Sequence, residues 1–303
     1  LRLQFLSEEW DYRRMARHEG PRGLPSGVHA PAMGHPTERN EMTKKSRVLL
    51  ALSAAALAFG MGAAKAEQMK LRIGTEGAYP PFNYMTADGK LEGFDIDIAK
   101  ALCEEMNAEC EFVIQDWDGI IPALQAGKFD AIIASMSITE ERKKQVDFTN
   151  KYYNTPPAVA VPKDSDIAGV SPEDLAGKSI GVQGSTTHSN YAEATYKDAD
   201  IRMYPTADEY KLDIANGRLD AVIDDIIVLQ EWLNSPEGEC CKIVGTITPV
   251  PEIHGEGAGI AIRKGEDELR EKFNAAIKAI RENGKYKEIN DKYFDFDAYG
   301  GES

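Results

Sequence analysis

Two stretches, "AGKFDAIIAS" and "NGRLDAVIDD", constrain the fold of this chain most. They align from Gly127 to Ser135 and from Gly217 to Asp225. Each has Gly, a basic residue, an apolar residue, Asp-Ala, two or more apolar residues, and a polar residue five positions after the Asp. A second pair, "RIGTEG" (72–77) and "SIGVQG" (179–184), precedes them in the same order. Two motif pairs in matched order predict two lobes built on one plan. Open α/β sheets bind ligands outside the carboxyl ends of their strands, so matched strand ends would face each other across a cleft. Ser135 and Asp225 are then expected on opposite jaws.

The rest of the pattern agrees with an α/β chain whose sheets are largely parallel and flanked by helices. "LRIGT", "FDAIIAS", "KSIGVQG", "LDAVID" and "GAGIAIR" read as strands. "GFDIDIAKALCEEM" reads as a helix that Asp95 is placed to cap. "EDELREKFNAAIKAIRENG" is a second helix, with Leu269, Phe273, Ile277 and Ile280 on one face and a stop at Gly284. Pro and Gly cluster at 154–157 and 249–257, which predicts two crossings between lobes. Residues 67–156 and 251–303 would form one lobe and 157–250 the other.

From Met42, "MTKKSRVLLALSAAALAFGMGAAKA" has a basic start, an apolar run too short to span a membrane, and a small-residue cleavage site ending at Ala66. It predicts a secretory leader, 42–66, with residues 1–41 upstream of the true start. No second hydrophobic span follows, so a soluble exported protein is expected. The whole chain carries a formal charge of −15, and the part from Glu67 carries 25 Lys and Arg against 44 Asp and Glu, or −19. Such a surface repels nucleic acid and anionic membranes. Export permits disulfides, and four cysteines allow three pairings. Cys103 and Cys110 would let a helix staple its own exit loop, whereas the adjacent Cys240 and Cys241 rarely bridge without strain. These spacings fit no usual zinc pattern, so no metal or cofactor is expected.

One detail looks misplaced. In "IIASMSITEER", Thr139 reads as a helix N-cap with Glu140 and Glu141 in the first turn, but Arg142 puts a cation where the helix dipole disfavours one. A bound anion would give it a reason.

"LRIGTEGAYPPF", "LEGFDIDIAKALC", "IIASMSITEER", "VDFTNKYY", "GVQGSTTH" and "GKYKEINDKYFDFD" together resemble the periplasmic solute-binding proteins of the polar amino-acid class. Within that class the chain is most similar to the histidine and lysine/arginine/ornithine receptors of ABC importers. The resemblance runs from Met69 to about Gly300. It implies a two-lobed periplasmic-binding-protein fold, a periplasmic location, a monomer, an inner-membrane ABC permease as partner and no catalysis.

The resemblance also implies roles. Arg142 would grip the ligand's α-carboxylate, helped by Ser135, Ser137 and Thr187, and Asp225 would accept its α-ammonium, with Asp224 a bystander. Tyr79 and Trp117 would sandwich the ligand side chain. Glu76, in place of a more common aspartate, would supply negative charge at the far end. Asp95 either joins Glu76 or caps its helix. His188 stands where Gln or His lies near the carboxylate. Ala134 replaces a serine, so that contact is expected from backbone alone. The expected ligand is arginine, lysine, ornithine, histidine or a related opine. The rival reading is an enzyme, because cyclohexadienyl dehydratases share this fold.

Overall fold

The computed structural model describes residues 68–301. The expected leader and the residues before it lie outside the described residues. The strands are β1 (Met69–Thr75), β2 (Ala78–Tyr79), β3 (Asn83–Met85), β4 (Leu91–Glu92), β5 (Ala108–Ile114), β6 (Ala131–Ile132) and β7 (Asp147–Tyr153). They continue with β8 (Pro157–Pro162), β9 (Ser179–Gln183), β10 (Asp200–Tyr204), β11 (Ala221–Asp225), β12 (Cys241–Thr246) and β13 (Ala258–Ile262). The helices are α1 (Phe94–Glu105), α2 (Ile120–Gln125), α3 (Glu140–Lys143), α4 (Thr187–Thr195), α5 (Ala207–Ala215), α6 (Ile226–Leu233), α7 (Pro251–His254), α8 (Asp267–Glu282) and α9 (Lys285–Tyr293).

Two five-stranded sheets result, ordered β5-β1-β6-β13-β7 and β10-β9-β11-β8-β12. In each, four strands run one way and one runs against them: β13 in the first sheet, β8 in the second. The reversed strand is the one the chain enters on arriving from the other sheet. It starts where its predecessor ended, at the carboxyl edge, and so must run back. The two repeated motifs occupy strands of equal rank, β1 with β9 and β6 with β11. Their carboxyl ends therefore meet between the sheets.

Helix α1 buries Phe94, Ile98 and Leu102, and α8 buries Phe273, Ile277 and Ile280, in one shared core. Each such side chain contributes about 1.5–3 kcal/mol relative to exposure. The α1 N-cap is Gly93, at φ 128, where a Cβ would collide with the Phe82 carbonyl oxygen. Asp95 lies inside the first turn and makes no cap, which corrects that expectation. Asn107 takes the left-handed turn (φ 50) that leads α1 into β5. There Cys103 and Cys110 are bridged, with Cα atoms 6.2 Å apart. Closing so short a loop stabilises by about 2.5 kcal/mol through the unfolded chain. Cys240 and Cys241 are also paired, against the expectation for adjacent cysteines.

Strand β6 is shorter than "FDAIIAS" suggests. Ile133 still donates its amide to Gly74 O at 3.0 Å, but Ser135 adopts φ 54 and turns the chain out of the sheet. That turn presents Ser135 to the cleft.

Candidate functional site

A cavity between the sheets is walled by Glu76, Tyr79, Trp117, Ala134, Ser135, Ser137 and Arg142 from the first lobe, and by Gln183, Thr186, Thr187 and His188 from the second. A compartment toward the crossings shares Tyr79, Ser135, Ser137, Thr187 and His188 and adds Thr155, Asp225 and His254. A larger groove, between β7 and α8, is lined by side chains in ion pairs such as Lys264–Asp147 and Lys143–Glu256, which leaves it less suited to a charged ligand.

Thr139 caps α3, accepting the Arg142 amide at 3.2 Å. The Arg142 side chain is 9% exposed and crosses the cleft, donating Nη1 to Ser137 O (3.0 Å) and Nη2 to Ser185 O (3.2 Å). Its guanidinium carbon lies 5.3 Å from the Trp117 ring centroid. Among the described residues it has no ion-pair partner, and burial lowers its pKa to about 10. Opposite it begins α4, whose capping box joins Thr186 and Ser189. The first-turn amides of Thr187 and His188 are ones a helix leaves without intrahelical partners. A cation without a counter-charge beside a helix N-terminus is suited to a carboxylate.

At the other jaw, Asp225 is 6% exposed, accepts the Ile227 amide at 2.8 Å and accepts the Thr155 hydroxyl. Burial raises its pKa to about 7. Asp224 is no bystander. Although outside the cavity wall, it accepts from Tyr79 (2.5 Å) across the cleft and from Tyr210, and lies 3.4 Å from His188 Nε2. Burial lowers the pKa of His188, as Arg142 does, while Asp224 opposes this.

Glu76, 8% exposed, accepts from Gln183 Nε2 at 2.6 Å, and burial raises its pKa to about 7. Asp95 does not reach the cavity. Fully buried, it accepts from Asn83 (2.8 Å), Tyr152 (2.7 Å) and Ser135 Oγ (2.9 Å), and burial raises its pKa to about 6. The Ser135 hydroxyl proton is thus committed to Asp95, leaving oxygen lone pairs available to a ligand donor. Sequence reasoning missed Gln183, Thr186, Thr155, Tyr210 and His254. For Gln183 the one available signal was its place in the second "IGxxG" repeat, level with Glu76 in the first. Among the described residues no cluster of three His, Cys, Asp or Glu side chains is placed to hold a metal.

The profile of the bacterial extracellular solute-binding proteins, family 3, matches residues 71–296. The chain is 48% identical over 260 residues to an L-arginine-binding protein of Pseudomonas aeruginosa, covering 85% of this chain and 99% of that one. It is 39% identical over 257 residues to the histidine-binding periplasmic protein of Salmonella typhimurium, covering 84% and 96%. Among solved structures, an ancestral arginine-binding protein bound to arginine superposes with a TM-score of 0.70 at 41% identity, covering 75% of this chain and 99% of that one. By sequence and by fold, the chain belongs to the bacterial extracellular solute-binding proteins, family 3.

Proposed function

We propose that the protein captures a basic amino acid of the arginine or histidine class in the periplasm and delivers it to the permease of an ABC importer. The observation that carries this reading is the pairing of Arg142, a buried cation with no acidic partner among the described residues, with the buried Asp225 on the opposite jaw. A zwitterion satisfies both. Its α-carboxylate is received by Arg142 and the start of α4, and its α-ammonium by Asp225 and the Ser135 oxygen. Glu76 then meets the side chain, and a cation there gains the counter-charge that an anion would oppose. Tyr79 and Trp117 supply aromatic walls, worth about 0.5–2 kcal/mol to a cation on a ring face. Relatives at 48% and 39% identity are named as arginine- and histidine-binding proteins, which supports binding rather than the dehydratase reading.

Calorimetry on the exported protein with the protein amino acids and arginine-derived opines tests this. Arginine, lysine, ornithine or histidine should bind at least roughly 100-fold more tightly than glutamate or leucine, a difference of about 2.7 kcal/mol. Glutamate binding as tightly as arginine would remove Glu76 from the pocket. Export through the leader is proposed on its sequence alone. The intact mass of the secreted protein should place its first residue at Glu67, and a species beginning elsewhere would relocate the cut.

A further inference from the structure

We infer that Gln183 reads the head group of the ligand's side chain and favours a guanidinium over an ammonium or an imidazolium. This rests on the binding site proposed above and adds a specificity determinant to it. Gln183 is 5% exposed, ends β9 and lines the cavity beside Glu76. Its Nε2 donates both to Glu76 Oε1 (2.6 Å) and to Pro205 O (2.9 Å). Turning the amide over would set oxygen against two oxygens, so its orientation is fixed by chemistry. Both amide protons are therefore committed, and Oε1 remains as an acceptor with no hydrogen bond among the described residues. Glu76 likewise accepts only at Oε1 among the described residues, leaving Oε2.

Two side chains thus offer one spare acceptor each at the same end of the cavity. A guanidinium is a planar fork of five N–H donors and can use acceptors from two different groups at once. An ammonium directs its three donors from a single atom, and an imidazolium has one distal N–H. Pro205 O holds Gln183 to the second lobe while Glu76 belongs to the first. The acceptor pair therefore exists only while the lobes are together, as they are here.

Calorimetry with arginine, lysine and histidine on Gln183→Met tests the inference, since methionine keeps the length and removes the acceptor. Arginine affinity should fall roughly tenfold or more, the scale of one lost hydrogen bond to a charged group, while lysine and histidine change by less than about threefold. Equal losses for all three ligands, or unchanged arginine binding, would overturn it. The wild-type protein gives a check without mutation. Asymmetric dimethylarginine, capped on one terminal nitrogen, should bind at least roughly tenfold more weakly than arginine, and equal binding also overturns the assignment. Arg142→Ala, measured in parallel, separates the two levels: retained arginine binding there sinks the proposed site itself, whereas unchanged ligand ratios in Gln183→Met sink only this inference.

Discussion

Arg142→Ala is expected to cost at least roughly 3–5 kcal/mol of ligand affinity, the scale of removing one partner from a buried ion pair, or some hundred- to several-thousandfold. The same substitution should leave the thermal midpoint of the ligand-free protein unchanged or raise it by a few degrees. The two effects share one cause. Burial lowers the guanidinium pKa from 12.5 to about 10, so the folded protein holds the charged form at a cost on the order of 3 kcal/mol. For a base with a depressed folded-state pKa, that penalty is present in full below about pH 10 and therefore at neutrality. Against it stand the bonds to Ser137 O and Ser185 O and the Trp117 face, which the variant loses. A ligand carboxylate offsets the penalty, and alanine removes both the penalty and its reason. Arg142→Lys should restore binding only in part, because a point charge cannot make the two-pronged contact. Calorimetry and thermal melts check this together. Binding that survives in Arg142→Ala would place the clamp elsewhere, and a melt lowered by many degrees would make Arg142 a structural residue.

Motifs that fix strand ends were legible in the sequence because their period and spacing are local. The repeated motifs lie on matching strands, and their polar ends reach one cleft. Arg142 was legible for a different reason: a cation in the first turn after Thr139 conflicts with helix electrostatics, and such conflicts tend to mark function. What escaped were partners made by tertiary contact. Asp224 and Asp225 are neighbours on one strand, and only the packing of Tyr79 and Tyr210 shows that Asp224 is also bonded across the cleft. Asp95 looked like a cap because acidic residues suit helix starts, yet Gly93 takes the cap and Asp95 turns inward to hold Ser135. Gln183 carried no local conflict at all. A glutamine at a strand end acquires meaning only when Glu76 comes from more than a hundred residues away in sequence, at 107 positions' separation.

Lowering the pH from about 8 to about 5.5 should weaken binding of a cationic amino acid on the order of 100-fold or more. Glu76 and Asp225 are both buried, and desolvation raises each pKa to about 7, with the like charge of Asp224 adding to the shift in both. A cationic zwitterion needs both carboxylates ionised, and by about pH 5.5 only a few per cent of each remains so. Stability and binding should therefore respond to pH in opposite senses. A carboxyl whose folded-state pKa is raised contributes stability that is present in full below its unfolded pKa and is lost as pH rises through about 7. The ligand-free protein should lose stability from these groups between about pH 5 and 8, while the ligand-induced rise in melting temperature grows over the same range. At about pH 6, titrations in buffers of different ionisation enthalpy should find between one and two protons released per arginine bound. Glutamine, with no side-chain cation, should release about one, through Asp225 alone, and Glu76→Gln should bring arginine down to the same number. Arginine affinity that is flat across this range, with no proton release, would mean that neither carboxylate faces the ligand's positive charges.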